Sequence, residues 1–291
     1  MGRMTAKKNK LIAFQGELGA NGDLACRALQ NGMETLPCYS FEDTFAAVRD
    51  KLASQALIPI ENTVAGRVAD IHHLLPNSGL FIVGEHFQRV EHHLLVIKGT
   101  TIDQLSHVHS HVHALNQCRN TINDLELEPV VHVDTAGAAK DIAERGDPCH
   151  AAIASQLAGQ IYGLDSIRAN IEDAQHNTTR FLLMAPEPLS FQAEEPNLIT
   201  SFIFRVRNVP AALYKALGGF ASNGVNMLKL ESYLFGGGFV AAQFYVEVEG
   251  HPDSKSLSLA LEELSFFTHE VRTLGVYRRN SIRDSLGENG S

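Results

Sequence analysis

An α/β first part followed by a smaller domain of order βαββαβ is the fold class that this 291-residue sequence predicts. Three observations carry it. Up to residue 185, short apolar runs alternate with stretches of helical periodicity. The texture then breaks at "APEPLSFQAEEPN", where three prolines and three glutamates read as a linker. Beyond the linker, four apolar strands and two helical stretches follow in a different order.

Each element has its own signal. "LIAF" (11–14) reads as a buried strand, and "GELGANGDLACRAL" as a loop entering a helix. "FEDTFAAVRDKLAS" sets Phe41, Phe45, Val48 and Leu52 on one helical face, with acids in the first turn. "ALIPIENT" is a strand running into a loop, "RVADIHHLL" a helix, and "GLFIVGEHF" and "EHHLLVIKG" are strands. Ala114, Leu115, Cys118, Ile122 and Leu125 keep helical spacing. "VVHV" is a strand, "DTAGAAKDIAER" a helix opened by an Asp cap, and "CHAAIAS" a buried strand. A short helix then ends at Gly163. After the linker come the strand "LITSFIFRV" and a helix between Pro210 and Gly224. The strand "VNMLKLESYL", a triple-glycine turn at 236–238 and the strand "FVAAQFYVEVEG" follow. The helix "DSKSLSLALEELSFF" and the strand "HEVRTLGVY" complete a ferredoxin-like plan. The expected boundaries are 9–185, a linker at 186–197, 198–278, and a polar tail at 279–291 that should fray.

Net charge is −9, which disfavours nucleic acid and anionic membrane as bulk partners, although a local arginine can still take an anionic metabolite. Cys26, Cys38, Cys118 and Cys149 form no CxxC pair and read as reduced thiols. The basic start "MGRMTAKKNK" precedes an apolar run too short for a signal peptide, and no stretch reaches the ~20 apolar residues of a membrane span. A cytoplasmic protein is expected.

Several motifs invite chemistry, each beside a plainer reading. "HVHSHVH" (107–113) sets His107, His109, His111 and His113 at one parity around Ser110. A flat row of imidazoles diverges, whereas a catalytic zinc needs ligands that converge. Gly16, Gly19 and Gly22 follow a strand and precede a helix, with Asp43 downstream, yet the GxG pair of a dinucleotide fingerprint is missing. A tight strand-to-helix turn at a cleft edge accounts for them better. Glu61 and Asn62 lie just past an apolar strand, where ligands of α/β proteins bind, or they serve a helix cap. Asn177, Thr179 and Arg180 sit at another strand edge; the arginine suits a carboxylate, or it is a surface residue.

In order along the chain, "FQGELGA", "IPIENTVAG", "SHVHALNQC", "DTAGAAK", "AAIAS", "YGL" and "NTTRF" resemble the motifs of the prephenate dehydratase family. "NVPAALYKALGGFASNGVNMLKLES" is similar to the ACT regulatory domain that follows in that family, so the resemblance spans residues 11 to 278. It implies a two-lobed catalytic domain like that of periplasmic binding proteins, with the cleft between the lobes. The family pattern Ser-His-Pro stands here as Ser110-His111-Val112, which makes Ser110 the cleft residue and the remaining histidines incidental surface or helix positions.

The reaction so implied removes water and carbon dioxide from prephenate to give phenylpyruvate. Aromatisation drives it, so no metal and no cofactor are expected. By resemblance Thr179, Arg180 and Glu61 are catalytic: Thr179 stands at the leaving hydroxyl, Arg180 holds a carboxylate, and Glu61 is a competing general acid. Asn62, Thr63, Ala65, Gly66, Ser110, Gln117, Thr135 and Asn177 would line the substrate, and Phe181 would pack the ring or the core behind it. Phenylalanine would bind as effector at Asn208, Pro210, Ala211, Ala212, Leu213, Asn226, Glu231 and Ser232. This regulatory half departs from its family: Ala211 replaces a glycine, and Glu231-Ser232-Tyr233-Leu234 replaces Glu-Ser-Arg-Pro. Gly22 likewise replaces a cleft-edge serine. A homodimer or homotetramer through the ACT domains is expected. Arogenate dehydratase and a non-catalytic amino-acid sensor are the alternatives; a nicotinamide dehydrogenase is disfavoured by the missing GxG.

Overall fold

The apolar run at the start forms β1 (Leu11–Gln15), and an extended Ala20 leads from it into α1 (Asn21–Ala28). This is a computed structural model that describes residues 11–29, 32–207, 209–234 and 241–284. β2 (Glu34–Cys38) was not foreseen; only half-buried, it lacks the apolar run that marks a core strand. α2 (Phe41–Arg49) is capped by Ser40, whose side chain accepts from Asp43 N, so Asp43 belongs to the cap. Phe45 and Val48 are buried as their spacing predicts, but Leu52 lies beyond the helix end and is exposed. β3 (Gln55–Asn62) turns through Gly66, at φ 81, into the short β4 (Gly66–Arg67).

α3 (Ala69–Leu74), β5 (Phe81–Arg89) and β6 (His93–Val96) follow. β7 (His107–His111) leads into α4 (Val112–Gln117) and α5 (Arg119–Asp124). The single helical periodicity is thus broken at Cys118, which leaves helical geometry at φ −125 and ψ 27. β8 (Glu128–His132), α6 (Thr135–Arg145) capped by Asp134, β9 (His150–Ala154) and α7 (Gln156–Tyr162) ending on left-handed Gly163 match expectation. β10 (Asp165–Arg168) and β11 (Thr178–Ala185) complete two sheets, ordered β2-β1-β3-β11-β5, with β4 on β3, and β10-β6-β9-β7-β8. These are the two lobes of the expected fold. Their connections run side by side, with Ile171 N donating to His92 O and Val90 N to Asn177 O.

The remainder is β12 (Leu198–Val206), α8 (Ala212–Ser222), β13 (Met227–Leu234), β14 (Ala241–Glu249), α9 (Lys255–Phe267) and β15 (Thr268–Arg278). The antiparallel order β13-β14-β12-β15 is the ferredoxin-like arrangement. Phe202, Phe204, Phe220, Phe244 and Leu264 bury its helical face. The triple-glycine turn lies outside the described residues.

Packing divides the chain into two units, one of residues up to Val68 with His86–Phe181, the other of Ala69–Glu85 with residues from Leu182 onward. This partition differs from the linear boundaries 9–185 and 198–278. Within the second unit, Arg283 Nη2 reaches Glu85 at 2.7 Å and Glu247 at 2.9 Å, both carboxylates fully buried. The tail expected to fray is therefore anchored as far as Asp284, with Asn280 N also donating to Glu85.

Candidate active site

The first unit gathers most of the predicted residues on β3, β11 and the two connections between the sheets. Arg180, 3% exposed within β11, donates from Nη1 to Glu61 Oε1 at 2.8 Å. Beside it, Asn62 Nδ2 donates to Thr179 Oγ1 at 2.9 Å and to Asn177 Oδ1 at 2.8 Å. Asn62 Oδ1 accepts from the backbone N–H groups of Val64 and Ala65, so the β3–β4 turn orients the side chain. Thr63 ties the same turn to β11: its hydroxyl donates to His176 O at 2.7 Å and accepts from Thr178 N. Gln117, closing α4, accepts from Asn177 Nδ2 at 2.9 Å. Phe181 is buried, the core position of its two readings.

Other predicted residues stand apart from this network. Ser110 is fully buried in β7 and its hydroxyl donates to Ile153 O at 2.6 Å, a bond that holds β7 to β9. Thr135 is the first residue of α6, half-buried. Val112, where the family has proline, is the first residue of α4 behind His111, so the helix still begins there.

Sequence reasoning missed His92. It is buried, its Nε2 lies 3.1 Å from Gln117 Oε1, and its backbone N–H reaches Glu172 Oε2 at 2.9 Å. Burial pushes its imidazole pKa below the ordinary value, against a bond to Gln117 and the charge of Glu172. The pair His92-His93 ahead of an apolar strand was its one signal. Of the "HVHSHVH" histidines, His113 is exposed on α4 as expected, but His109 and His107 are not incidental surface groups. His109 is buried, its Nε2 meets His150 Nδ1 at 2.9 Å, and His107 stacks on His150 with ring centroids 4.6 Å apart. Among the described residues no group of three or more His, Cys, Asp or Glu could hold a metal ion.

The glycine loop is packed against protein. Asp23, buried, accepts Gly19 N, while Ser155 and Tyr162 bond the carbonyls of Gly19 and Leu18. A Cβ on Gly19 would fall 2.6 Å from the Ala158 backbone. The buried carboxylate at this loop is unsuited to a pyrophosphate, and close packing explains the glycine.

In the second unit, Pro210 and Ala211 precede α8, which contains Ala212 and Leu213; Asn208 lies outside the described residues. Asn226 leads into β13, where Glu231 pairs with Lys229 at 3.3 Å and Ser232 is exposed. Tyr233 is buried against His73 and His72, ring centroids 5.7 and 6.1 Å away, and accepts from Gln243 Nε2.

Fold and site define a protein with a two-sheet α/β part whose connections carry a cluster of amides, hydroxyls and one buried guanidinium. The chain belongs to the prephenate dehydratase family, whose model matches residues 12–189. A bifunctional N-acyl-homoserine lactone acylase/prephenate dehydratase of Komagataeibacter europaeus is 52% identical, over 94% of this chain and 98% of the relative. An arogenate dehydratase/prephenate dehydratase of Arabidopsis thaliana is 35% identical, over 94% of this chain and 73% of its own. Among solved structures, GqqA, described as a novel type of quorum quenching acylase, superposes with a TM-score of 0.88 at 51% identity, covering 94% of this chain and 99% of that one. The prephenate dehydratase of Arthrobacter aurescens in complex with L-Phe gives 0.84 at 26% identity, covering 92% and 90%. By family this is a dehydratase of the prephenate and arogenate type.

Proposed function

We propose that the protein converts prephenate to phenylpyruvate. The observation that carries this reading is the adjacency on β11 of Thr179, held by Asn62, and the buried Arg180. In the reaction the bond between the ring carbon and its carboxylate breaks, releasing carbon dioxide. Its electron pair moves through the ring and expels the C4 hydroxyl, which takes a proton and leaves as water. Glu61 Oε1 is occupied as acceptor of the Arg180 N–H, whereas the Thr179 hydroxyl accepts from Asn62 and keeps its own proton for donation. Thr179 is therefore favoured as donor to the leaving hydroxyl, with Glu61 setting the guanidinium that holds a substrate carboxylate. Asn62, Thr63, Gln117 and Asn177 supply the surrounding hydrogen bonds.

We further read residues 198–278 as an ACT domain that binds phenylalanine and pairs with a second copy. The relative solved with L-Phe and the β13 and β15 edges of the sheet support this. A cytoplasmic location is consistent with four unpaired cysteines. No helix among the described residues is long and apolar enough to cross a membrane. Phenylpyruvate formation from prephenate and phenylalanine formation from arogenate, each with and without added phenylalanine, test the assignment. Turnover of arogenate alone would move it to the alternative substrate, and turnover of neither would overturn it. Hydrolysis of N-acyl-homoserine lactones is a second reading, favoured by the 52% identical relative, and the same preparation tests it.

A further inference from the structure

The hydrogen bonds around Asn62 have a fixed direction, because one end is tied to the backbone. Val64 and Ala65 N–H groups can only donate, so the atom they meet at 2.9 and 2.8 Å must be Asn62 Oδ1. Asn62 therefore turns Nδ2 to Thr179 and Asn177. Asn177 must then present Oδ1 to Asn62 and Nδ2 to Gln117. Gln117 receives that bond on Oε1, and the ring nitrogen 3.1 Å from the same oxygen must carry a hydrogen. His92 is thus a donor through Nε2–H. Besides the second N–H of Asn177 Nδ2, two donor groups remain wholly unspent along this series: the Thr179 O–H and the Gln117 amide NH2, neither of which bonds further among the described residues.

We propose that His92 is a positioning residue for the dehydratase: its Nε2–H, donated to Gln117 Oε1, holds the Gln117 amide with its NH2 turned to the substrate. The inference rests on the proposed activity. His92 suits the task because both sides of its backbone are held, N–H by Glu172 and carbonyl by Ile171 N–H. Burial keeps the ring neutral near pH 7, as its lowered pKa requires. Without this donor, Gln117 Oε1 retains only the Asn177 bond, and the amide is free to turn.

His92→Phe removes the donor, and His92→Gln restores an amide N–H near the Nε2 position. With prephenate as substrate, His92→Phe is expected to lower kcat roughly tenfold with little change in KM, and His92→Gln to recover most of the loss. A folded His92→Phe protein within twofold of the parent kcat would overturn the role. So would a loss that a folded His92→Gln protein fails to recover, since that would make the ring's volume decisive. An inactive parent protein would overturn the dehydratase reading and this inference together, whereas an active parent isolates the inference. The tautomer is tested without any variant: 15N spectra of histidine-labelled protein should show His92 neutral and protonated on Nε2. An Nδ1–H tautomer would contradict the assignment.

Discussion

Thr179 illustrates how one side chain can be both held and available. Thr179→Val keeps the shape but removes the acceptor for Asn62 and the proton for the leaving hydroxyl. It should lower kcat by about 10²–10⁴-fold, while Thr179→Ser should keep most of the rate; steady-state turnover of prephenate is the check. Ala211 is the opposite case, a residue in a conformation that its Cβ disfavours. It precedes α8 at φ 59 and ψ 23, left-handed geometry that suits the family's glycine. Ala211→Gly should raise stability by about 1 kcal/mol, seen as a higher urea midpoint. The sequence showed the departure at 211, but its conformational meaning needed the backbone.

At the scale of elements, the parity of "HVHSHVH" was legible and its surroundings were not. β7 does alternate, with Ser110 facing opposite to His107, His109 and His111, yet what meets His109 is His150, brought in by parallel pairing of β7 with β9. Burial, then the nearby charges of His150 and Arg145, pull the His109 pKa from 6.5 to about 4. The folded value lies below the unfolded one, so the folded state disfavours protonation. The corresponding stability is present above about pH 6.5 and is lost as the pH falls through about 4. Urea midpoints should decline in acid over that window, and His109→Gln should flatten the decline. Equal slopes for parent and variant would remove His109 as the cause.

At the scale of the molecule, one buried ion-pair cluster joins residues far apart in sequence. Glu85 and Glu247 carry fully buried carboxylates, and Arg283 spans both. Arg283→Met would leave two buried anions without that guanidinium and should destabilise the second unit by roughly 3–5 kcal/mol. Equilibrium unfolding in urea measures this, and a change below about 1 kcal/mol would mean that other groups suffice. The sequence pattern read residues 279–291 as a loose polar tail, because a hydrophilic stretch carries no periodic signal. The anchor depends on Glu85, 198 positions away, which spacing cannot reveal.

By itself the sequence determined both fold plans and the order of most elements, because apolar periodicity and caps act over neighbouring residues. It also determined the family, through ordered motifs including "IPIENTVAG" and "NTTRF". Tertiary structure alone decided the direction of the Asn62–Asn177–Gln117–His92 bonds, the interior place of Ser110, and the assignment of segment 69–85 to the second unit. Each of these rests on groups that meet only when distant strands pair, and a hydrogen bond leaves no mark on the spacing of the residues that form it.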